Sequence, residues 1–572
     1  MLADITVTEK SFGPKTLMTG VRFSIGEGEK VGLIGRNGAG KSTLFGILAG
    51  TDKDFTGEVI YRRGTVVVAT QQEHHDAHDK TVLQYILQGL PEYTELSRIV
   101  ETYPETMGDN MRMINEYTQA LERFSSKGFY QIEEQIEREL EKFQLQGASH
   151  RPFATMSGGQ KRLIEVVKVM HSQAQLALVD EPTNHMDYVA KQQFIEWLKA
   201  AKEAVLVITH DRDVLKEVDR IVELKDGGSQ SFKGNYDAYL KQNAVSTSTA
   251  MTEFELIERR KANLKDKIIQ FRRLKEKARD PDTIKQFKRR ENEAKAALEE
   301  LEAIEKPTFW IDKASAESLD YKQATRYDKF KAKNIRMKLT SEESRSKHVL
   351  VSAKDLSLGY GDTLLFSGIA IDLREGEALE LRGRNGTGKT TLIKALLGSR
   401  SHTIAHEHLE PGAKPFVSNS MSNGENHKPI IFSGDIKLDK HVRIGVYEQE
   451  VSPTYFELPL EEAIERMYLD RSLSISTTKI RGLMNDYLFT EGDGKIPISR
   501  LSGGQKARFQ LIAMLANDPQ LLILDEPTNH LDLPSIEELE TALARYTGAI
   551  LYVSHDGYFQ KAIGGNVIQI GS

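Results

Sequence analysis

The sequence predicts an α/β chain of two related domains in tandem, joined by an antiparallel α-helical hairpin. Three observations carry this expectation. The form G-x-x-x-x-G-K-[ST] occurs twice, at Gly35 to Ser42 and at Gly383 to Thr390, each time between an apolar strand pattern and a helix opening. Other short motifs recur around both copies in the same order. Between the copies, two segments with apolar stripes at helical spacing flank a break at Asp280-Pro281-Asp282.

The loop comes first because its chemistry is the most specific. Backbone N–H groups of a glycine turn opening a helix wrap a phosphate. Gly35, Asn37, Gly38 and Gly40 form the first turn, and Thr43 opens the helix. Lys41 reaches the β/γ-phosphates and the Ser42 hydroxyl suits Mg²⁺. Gly383, Asn385, Gly386, Gly388, Lys389, Thr390 and Thr391 repeat the set. Two copies in this context exclude a chance glycine turn.

Composition bounds the rest. A chain of 572 residues holds two to four domains. It has no cysteine, which excludes a disulfide framework and thiolate metal sites. Met1-Leu2-Ala3-Asp4 opens into a strand pattern, so no secretory signal is expected. The longest apolar runs fall short of the ~20 residues that span a bilayer. A soluble, cytoplasmic protein without a membrane partner is expected. The net charge of −6 gives no global sign of nucleic-acid binding.

The repeat is a whole domain. Phe12 corresponds to Tyr360, each 23 residues before its loop. Met156-Ser157-Gly158-Gly159-Gln160 corresponds to Leu501-Ser502-Gly503-Gly504-Gln505. Leu176 to Asp187 corresponds to Leu521 to Asp532, and Thr209-His210-Asp211 to Ser554-His555-Asp556. On these residues both halves resemble the nucleotide-binding domains of ABC ATPases. The resemblance implies two P-loop ABC-type domains, each with an α/β core, an antiparallel β part and a helical part carrying Ser-Gly-Gly-Gln. ATP and Mg²⁺ are the implied ligands.

Within that frame each residue has a role. Asp180 and Asp525 end apolar strands, where a carboxylate beside the phosphate loop suits Mg²⁺. Glu181 and Glu526 follow; with strand alternation they face the attacking water as general bases. His210 and His555 contact the γ-phosphate from the side. Gln72 and Gln449 suit Mg²⁺ and water positioning, with Gln71 competing for the first role. Phe12 and Tyr360 stack on adenine, a core aromatic being the alternative for Phe12. Ser157-Gly158-Gly159 and Ser502-Gly503-Gly504 are anion sites at helix starts. In the family they complete the partner domain's site. That implies two ATPs sandwiched head-to-tail in a monomer, one between Lys41 and Ser502, the other between Lys389 and Ser157. Both hydrolyse, and ATP acts as intramolecular glue.

The offset between halves locates the insertions. It is 348 at the loop, 377 at the Gln and 345 from Ser-Gly-Gly onward. The second half therefore gains residues near 402–435, a polar stretch with His402, His406, His408 and His427. No metal-ligand spacing is diagnostic there, and a solvated loop is expected. The first half gains residues near 91–126, where Tyr93, Leu96, Ile99 and Met111, Ile114, Tyr117, Leu121 predict a two-helix arm turning at Met107 to Asn110. The arm is not basic, so a protein partner is favoured there.

The domains are expected at 1–240 and 349–572, with the hairpin at 241–307 and a connecting segment at 308–348. Ser246 to Thr249 loosens the chain before the first hairpin helix, and the second ends at Pro307. Phe309 to Lys347 reads as a polar, basic linker. From Arg259 to Arg290 there are 14 Lys/Arg and 4 Asp/Glu, a balance of +10. Arg272, Arg273, Lys275, Lys277, Arg279, Lys285, Lys288, Arg289 and Arg290 crowd the tip and predict phosphate-backbone contacts without base reading.

This combination resembles the ABC-F family of ribosome-associated ATPases. The resemblance implies binding at the ribosomal tRNA exit site in the ATP-closed state and release on hydrolysis. It places the arm toward the stalk protein and the hairpin toward large-subunit RNA and peptidyl-site tRNA. The C-terminal extension of some members is not expected after Ser572. A housekeeping translation factor and an antibiotic-resistance ribosome-protection protein both fit. The soluble ATPase of a membrane exporter is the alternative; the basic hairpin opposes it. A DNA-repair ATPase is opposed by the absence of zinc-binding cysteines.

Overall fold

The computed structural model describes every residue except 14, 72–78, 305, 308, 318, 320, 338–347, 362, 405–428, 449 and 572. Two compact units result: Met1–Tyr236 with Ile335–Ser572, and Asp237–Asn334.

In the first unit, the apolar runs become parallel strands. Lys30–Gly35, Ala204–Ile208 and Leu176–Asp180 are neighbours at the centre of a six-stranded sheet. Ala204–Ile208 is buried at every position, as a strand covered on both faces must be. Arg220–Lys225 and Gly228–Lys233 extend one edge and Val67–Ala69 the other. A separate antiparallel sheet joins Ala3–Phe12 to Lys15–Met18, Val21–Ile25 and Thr56–Tyr61. The second half repeats the plan. Ala378–Arg382, Ala549–Val553 and Leu521–Asp525 lie parallel between Asn566–Gln569 and Ile444–Tyr447. Its antiparallel sheet is Thr363–Arg374, Val349–Tyr360 and Ile430–Leu438. Parallel strands bring their C-terminal ends to one edge, so the phosphate loop, the Asp-Glu pair and the His of each half meet there.

The arm consists of helices Tyr93–Thr106 and Met111–Ser126. The Asn110 side chain starts the second by accepting from the Arg112 N–H at 3.1 Å. Most of the expected 402–435 loop, with His406, His408 and His427, lies outside the described residues. Its two ends are no loop. The helix Lys389–Ile404 runs through position 402. Ile430 onward pairs with Val349–Tyr360, because Ile430-Ile431-Phe432 is strongly β-forming. Among the described residues no group of His, Asp and Glu has the arrangement of a metal site. Among them, too, no helix is long and apolar enough to cross a membrane.

The second unit corrects three expectations. Ser246 to Thr249 does not loosen the chain: one helix runs Tyr236–Lys277. The hydroxyls of Thr249 and Thr252 donate to the Val245 and Ser248 carbonyls at 3.2 and 2.9 Å, which satisfies them inside the helix. The return helix is Pro281–Glu302, ending before Pro307. It starts sharply because Pro281 occupies the first turn and the Asp280 carboxylate accepts from the Thr283 N–H at 2.9 Å. Nor is the segment after Phe309 only a linker. Phe309, Ile311, Tyr327 and Phe330 pack on Met251 and Phe254 of the long helix, six buried residues forming a core of their own.

The hairpin is held by ion pairs. Lys265 meets Glu302 at 3.0 Å, and Lys275 meets Glu291 at 2.6 Å. Glu291 also receives Lys295 at 2.7 Å and Arg272 at 3.8 Å. Hydrogen bonds from Lys275 and Lys295 hold its carboxyl down to about 2.

Candidate functional site

Each phosphate loop is built around glycines with left-handed backbone. Gly40 has φ 96° and Gly388 φ 100°. The left-handed backbone of Gly40 is what demands glycine; a Cβ there would also push aside the flexible end of Met18, 2.6 Å away. The Lys41 ammonium donates to the Gly35 carbonyl at 2.7 Å, and Lys389 donates to the Gly383 and Arg384 carbonyls at 2.8 and 2.9 Å. Burial lowers the pKa of both lysines, against the pull of the nearby carboxylates.

The Asp-Glu pairs depart from simple strand alternation. The strands end at Asp180 and Asp525, and the glutamates turn out of them in left-handed conformation, at φ 44° for Glu181 and 51° for Glu526. A non-glycine residue held there in both halves is stored strain of about 1–3 kcal/mol each, a common mark of functional positions. Burial pushes Glu181 up to about 8 and Glu526 up to about 7. It pushes His210 down to about 3 and His555 down to about 4, so each imidazole is neutral and keeps one N–H donor. His210 Nε2 stands 3.5 Å from Glu181 Oε1, and His555 Nε2 stands 3.2 Å from Glu526 Oε1.

The donor set fits Mg²⁺. Thr390 Oγ1 donates to Asp525 Oδ2 at 2.9 Å, while the buried Asp525 Oδ1 has no hydrogen-bond partner among the described residues. A hydroxyl and a carboxylate beside a phosphate loop are oxygen donors for a hard cation. Gln72 and Gln449 lie outside the described residues. Gln71 is tied back by its N–H, which donates to Glu165 Oε2 at 2.7 Å.

Phe12 is 56% exposed, so it is not a core aromatic. Its ring lies 4.9 Å from the Lys10 ammonium. Tyr360 is half-buried and accepts from Thr391 Oγ1 at 3.3 Å.

Two cavities gather these residues. One of about 570 Å³ is lined by Phe12, Asn37, Gly38, Gly40, Lys41, Ser42, Thr43, Asp180, Glu181 and His210, with Ser502, Gly503 and Gly504 of the other half. Its size is typical of a small-molecule site. The other, about 1240 Å³, is lined by Tyr360, Asn385, Gly386, Gly388, Lys389, Thr390, Thr391, Asp525, Glu526 and His555, with Ser157, Gly158 and Gly159. Ser157 and Ser502 start the helices Gly158–His171 and Gly503–Leu515, each hydroxyl accepting the N–H of the Gln three residues on at 3.3 Å.

Asp187 and Asp532, to which no motif assigned a role, join the halves. Asp532 accepts from the Asn37 N–H at 3.0 Å, and Asp187 from the Asn385 N–H at 3.1 Å. Each also starts its own helix, accepting from Ser535 or Ala190. Their signal in the sequence is an N-cap Asp at the same place in both repeats. Asn37 Nδ2 further donates to the His530 carbonyl at 2.9 Å.

Gly504 meets Asn37 directly. A Cβ there would lie 2.1 Å from Asn37 Nδ2. Gly504→Ala is therefore expected to break the bond to His530 and weaken ATP-driven closure of the halves on the order of tenfold. Fluorescence transfer between labels on the two halves measures this; undiminished closure would remove Gly504 from the contact.

The family model described as ABC transporter matches residues 18–184 and again 366–529. The chain belongs to the ABC transporter family. Its two ABC domains lie in tandem; such domains bind ATP and imply ATPase activity. ABC transporter F family member 5 of Arabidopsis thaliana is 28% identical, with 98% of this chain and 74% of the relative covered. Ribosome protection protein VmlR of Bacillus subtilis (strain 168) is 26% identical, with 97% and 84% covered. Among solved structures, the complex of archaeal stalk protein aP1 and ribosome recycling factor aABCE1 matches this ABC chain with a TM-score of 0.54 at 16% identity, covering 96% of this chain and 85% of that one. That likeness is one of fold.

Proposed function

We propose that this protein is a ribosome-binding ABC-F-type ATPase with two composite ATP sites, binding in the ATP-closed state and released on hydrolysis. The observation that carries this reading is the charge of the hairpin tip. Arg273, Lys277, Arg279, Lys285, Lys288 and Arg290 are exposed or half-exposed and make no ion pair among the described residues. Arg272 and Lys275 are engaged by Glu291 and Arg289 by Glu293, so they serve the hairpin before RNA. Unpaired cations at one end of a helical hairpin suit the phosphates of large-subunit RNA and peptidyl-site tRNA. Full-length similarity to a relative named for ribosome protection supports the same partner. The arm then faces the stalk protein. Relief of stalled ribosomes and protection against drugs are the two cellular uses of this chemistry.

In each site the phosphate-loop lysine and N–H groups bind the triphosphate, and Phe12 or Tyr360 stacks on adenine. Ser502 completes the Lys41 site and Ser157 the Lys389 site. Ser42 with Asp180, and Thr390 with Asp525, would hold Mg²⁺, with Gln72 and Gln449 as the further ligands; the ion neutralises charge on the transferring phosphoryl group. Glu181 and Glu526 accept a proton from water as its oxygen bonds the γ-phosphorus and the bond to the bridging oxygen of ADP breaks. His210 and His555 each direct an N–H at the γ-phosphate.

Co-sedimentation with ribosomes tests the reading. The Glu181→Gln/Glu526→Gln protein is expected in the ribosome pellet with ATP and absent from it without. No pelleting under either condition would leave an ATPase whose partner lies elsewhere, an exporter included.

A further inference from the structure

We infer that Lys191 is a positioning residue for the second ATP site, acting from the first half through the backbone of His555; this rests on the two-site reading above. Lys191 lies on the helix Tyr188–Ala200 and is buried. Its ammonium has three donors and three acceptors. Two are carboxylates of its own half, Asp211 at 2.9 Å and Asp213 at 2.7 Å, in the turn after His210. The third is the His555 carbonyl of the other half, at 3.2 Å. Lys191 thus reaches the cavity lined by Lys389, Glu526 and His555.

The repeat makes this contact one-sided. At the offset of 345 the counterpart of Lys191 is Ile536, which has no donor to offer the His210 carbonyl. A second cross-half contact is one-sided too. Arg212 donates to Glu540 at 3.0 Å and lies 4.8 Å over the Tyr558 ring, whereas the counterparts of Arg212 and Glu540 are Gly557 and Ile195. Both polar ties fall beside His555.

What they fix is the pairing of His555 with Glu526. The His555 N–H donates to Glu526 Oε2 at 3.3 Å, and its ring nitrogen stands 3.2 Å from Oε1. A carbonyl anchored by Lys191 therefore sets both distances, and anchors them only when the halves are together. The corresponding ring distance in the first site is longer, at 3.5 Å. Each phosphate loop takes an aspartate from the opposite half, but among the described residues it is at the second site that a lysine of the opposite half also holds the backbone of the His–Glu pair.

The test uses full-length protein in two backgrounds. Glu181→Gln leaves turnover to the second site, and Glu526→Gln leaves it to the first. Lys191→Met is expected to lower kcat about tenfold in the Glu181→Gln background with KM little changed, since a small misplacement of catalytic groups acts on the chemical step. In the Glu526→Gln background the loss is expected to be smaller by about threefold or more. Asp211 and Asp213 after His210 lose a partner there, but the His210–Glu181 pair keeps its own backbone. Lys191→Arg restores most of the loss in both backgrounds. Equal loss in both backgrounds, or loss in neither, would overturn the inference while leaving the glutamates standing. Hydrolysis at the native rate in the Glu181→Gln/Glu526→Gln protein would instead remove both glutamates as bases, and with them the reading on which the two backgrounds rest. Thermal unfolding is measured alongside. Should Lys191→Met not fold, Lys191→Gln, shorter and neutral, is measured in the same backgrounds with the same site-selective loss expected.

Discussion

The Glu181→Gln/Glu526→Gln protein will bind ATP and release phosphate at least about 100-fold more slowly than the native chain. The substitution keeps the shape of both side chains and removes the base. Glutamine must adopt the left-handed backbone of positions 181 and 526, at φ 44° and 51°, which the surrounding turn already imposes on glutamate. Lys41 and Lys389 stay anchored to their loop carbonyls, so the triphosphate grip remains. Hydrogen bonds at these positions survive in part: the His555 N–H still finds an acceptor oxygen at Glu526→Gln. Single-turnover phosphate release and filter binding of ATP measure the two properties separately. Release at the native rate would show that neither glutamate is the base. Failure of both ATP binding and release would point to a damaged site and leave the base unassigned to these residues.

Neutralising Arg273, Lys285, Lys288 and Arg290 to glutamine will flatten the salt dependence of ribosome binding. Each phosphate that is no longer neutralised takes about 0.7–0.9 off the log–log slope, so the four substitutions together take off up to about 3.6. Affinity at moderate salt is expected to fall by about two to three orders of magnitude. Among the described residues these four carry no ion pair, while Arg272, Lys275 and Lys295 are left to hold Glu291, so the two helices stay together. A titration of pelleted fraction against salt gives the slope directly. An unchanged slope would take the hairpin out of the RNA interface.

The ATP motifs were legible in the sequence because their physics is local. A glycine turn, an Asp-Glu at the end of an apolar strand and a Ser three residues before a Gln each specify their backbone within a few residues. Doubling the set in the same order made the two-domain plan readable, and Pro281 with Asp280 marked the hairpin turn for the same local reason. Glu181 and Glu526 were expected in strand geometry, and their backbone differs. Alternation predicts a strand continuing past the aspartate, whereas the chain turns left-handed there. Ser246 to Thr249 misled because hydroxyl-rich stretches suit loops and helices alike, and the choice depends on whether the hydroxyls find carbonyls one turn back.

The fold class, the order of the domains and the residue types suited to a phosphate follow from the chain alone, since turns, caps and strand runs are specified by near neighbours. Which surfaces meet follows only from packing in three dimensions. Asp187 and Asp532 hold the opposite half's loop, Lys191 reaches His555, and Glu291 gathers three cations, two of which the sequence counts as tip charge. Phe309 to Phe330 builds a small core on the long helix. Apart from the Glu291–Lys295 pair, one helical turn apart, none of these pairings can be read from a local periodicity, and the repeated N-cap aspartates do not by themselves name their partners. Most join residues tens to hundreds of positions apart, and they are fixed by how packed faces align.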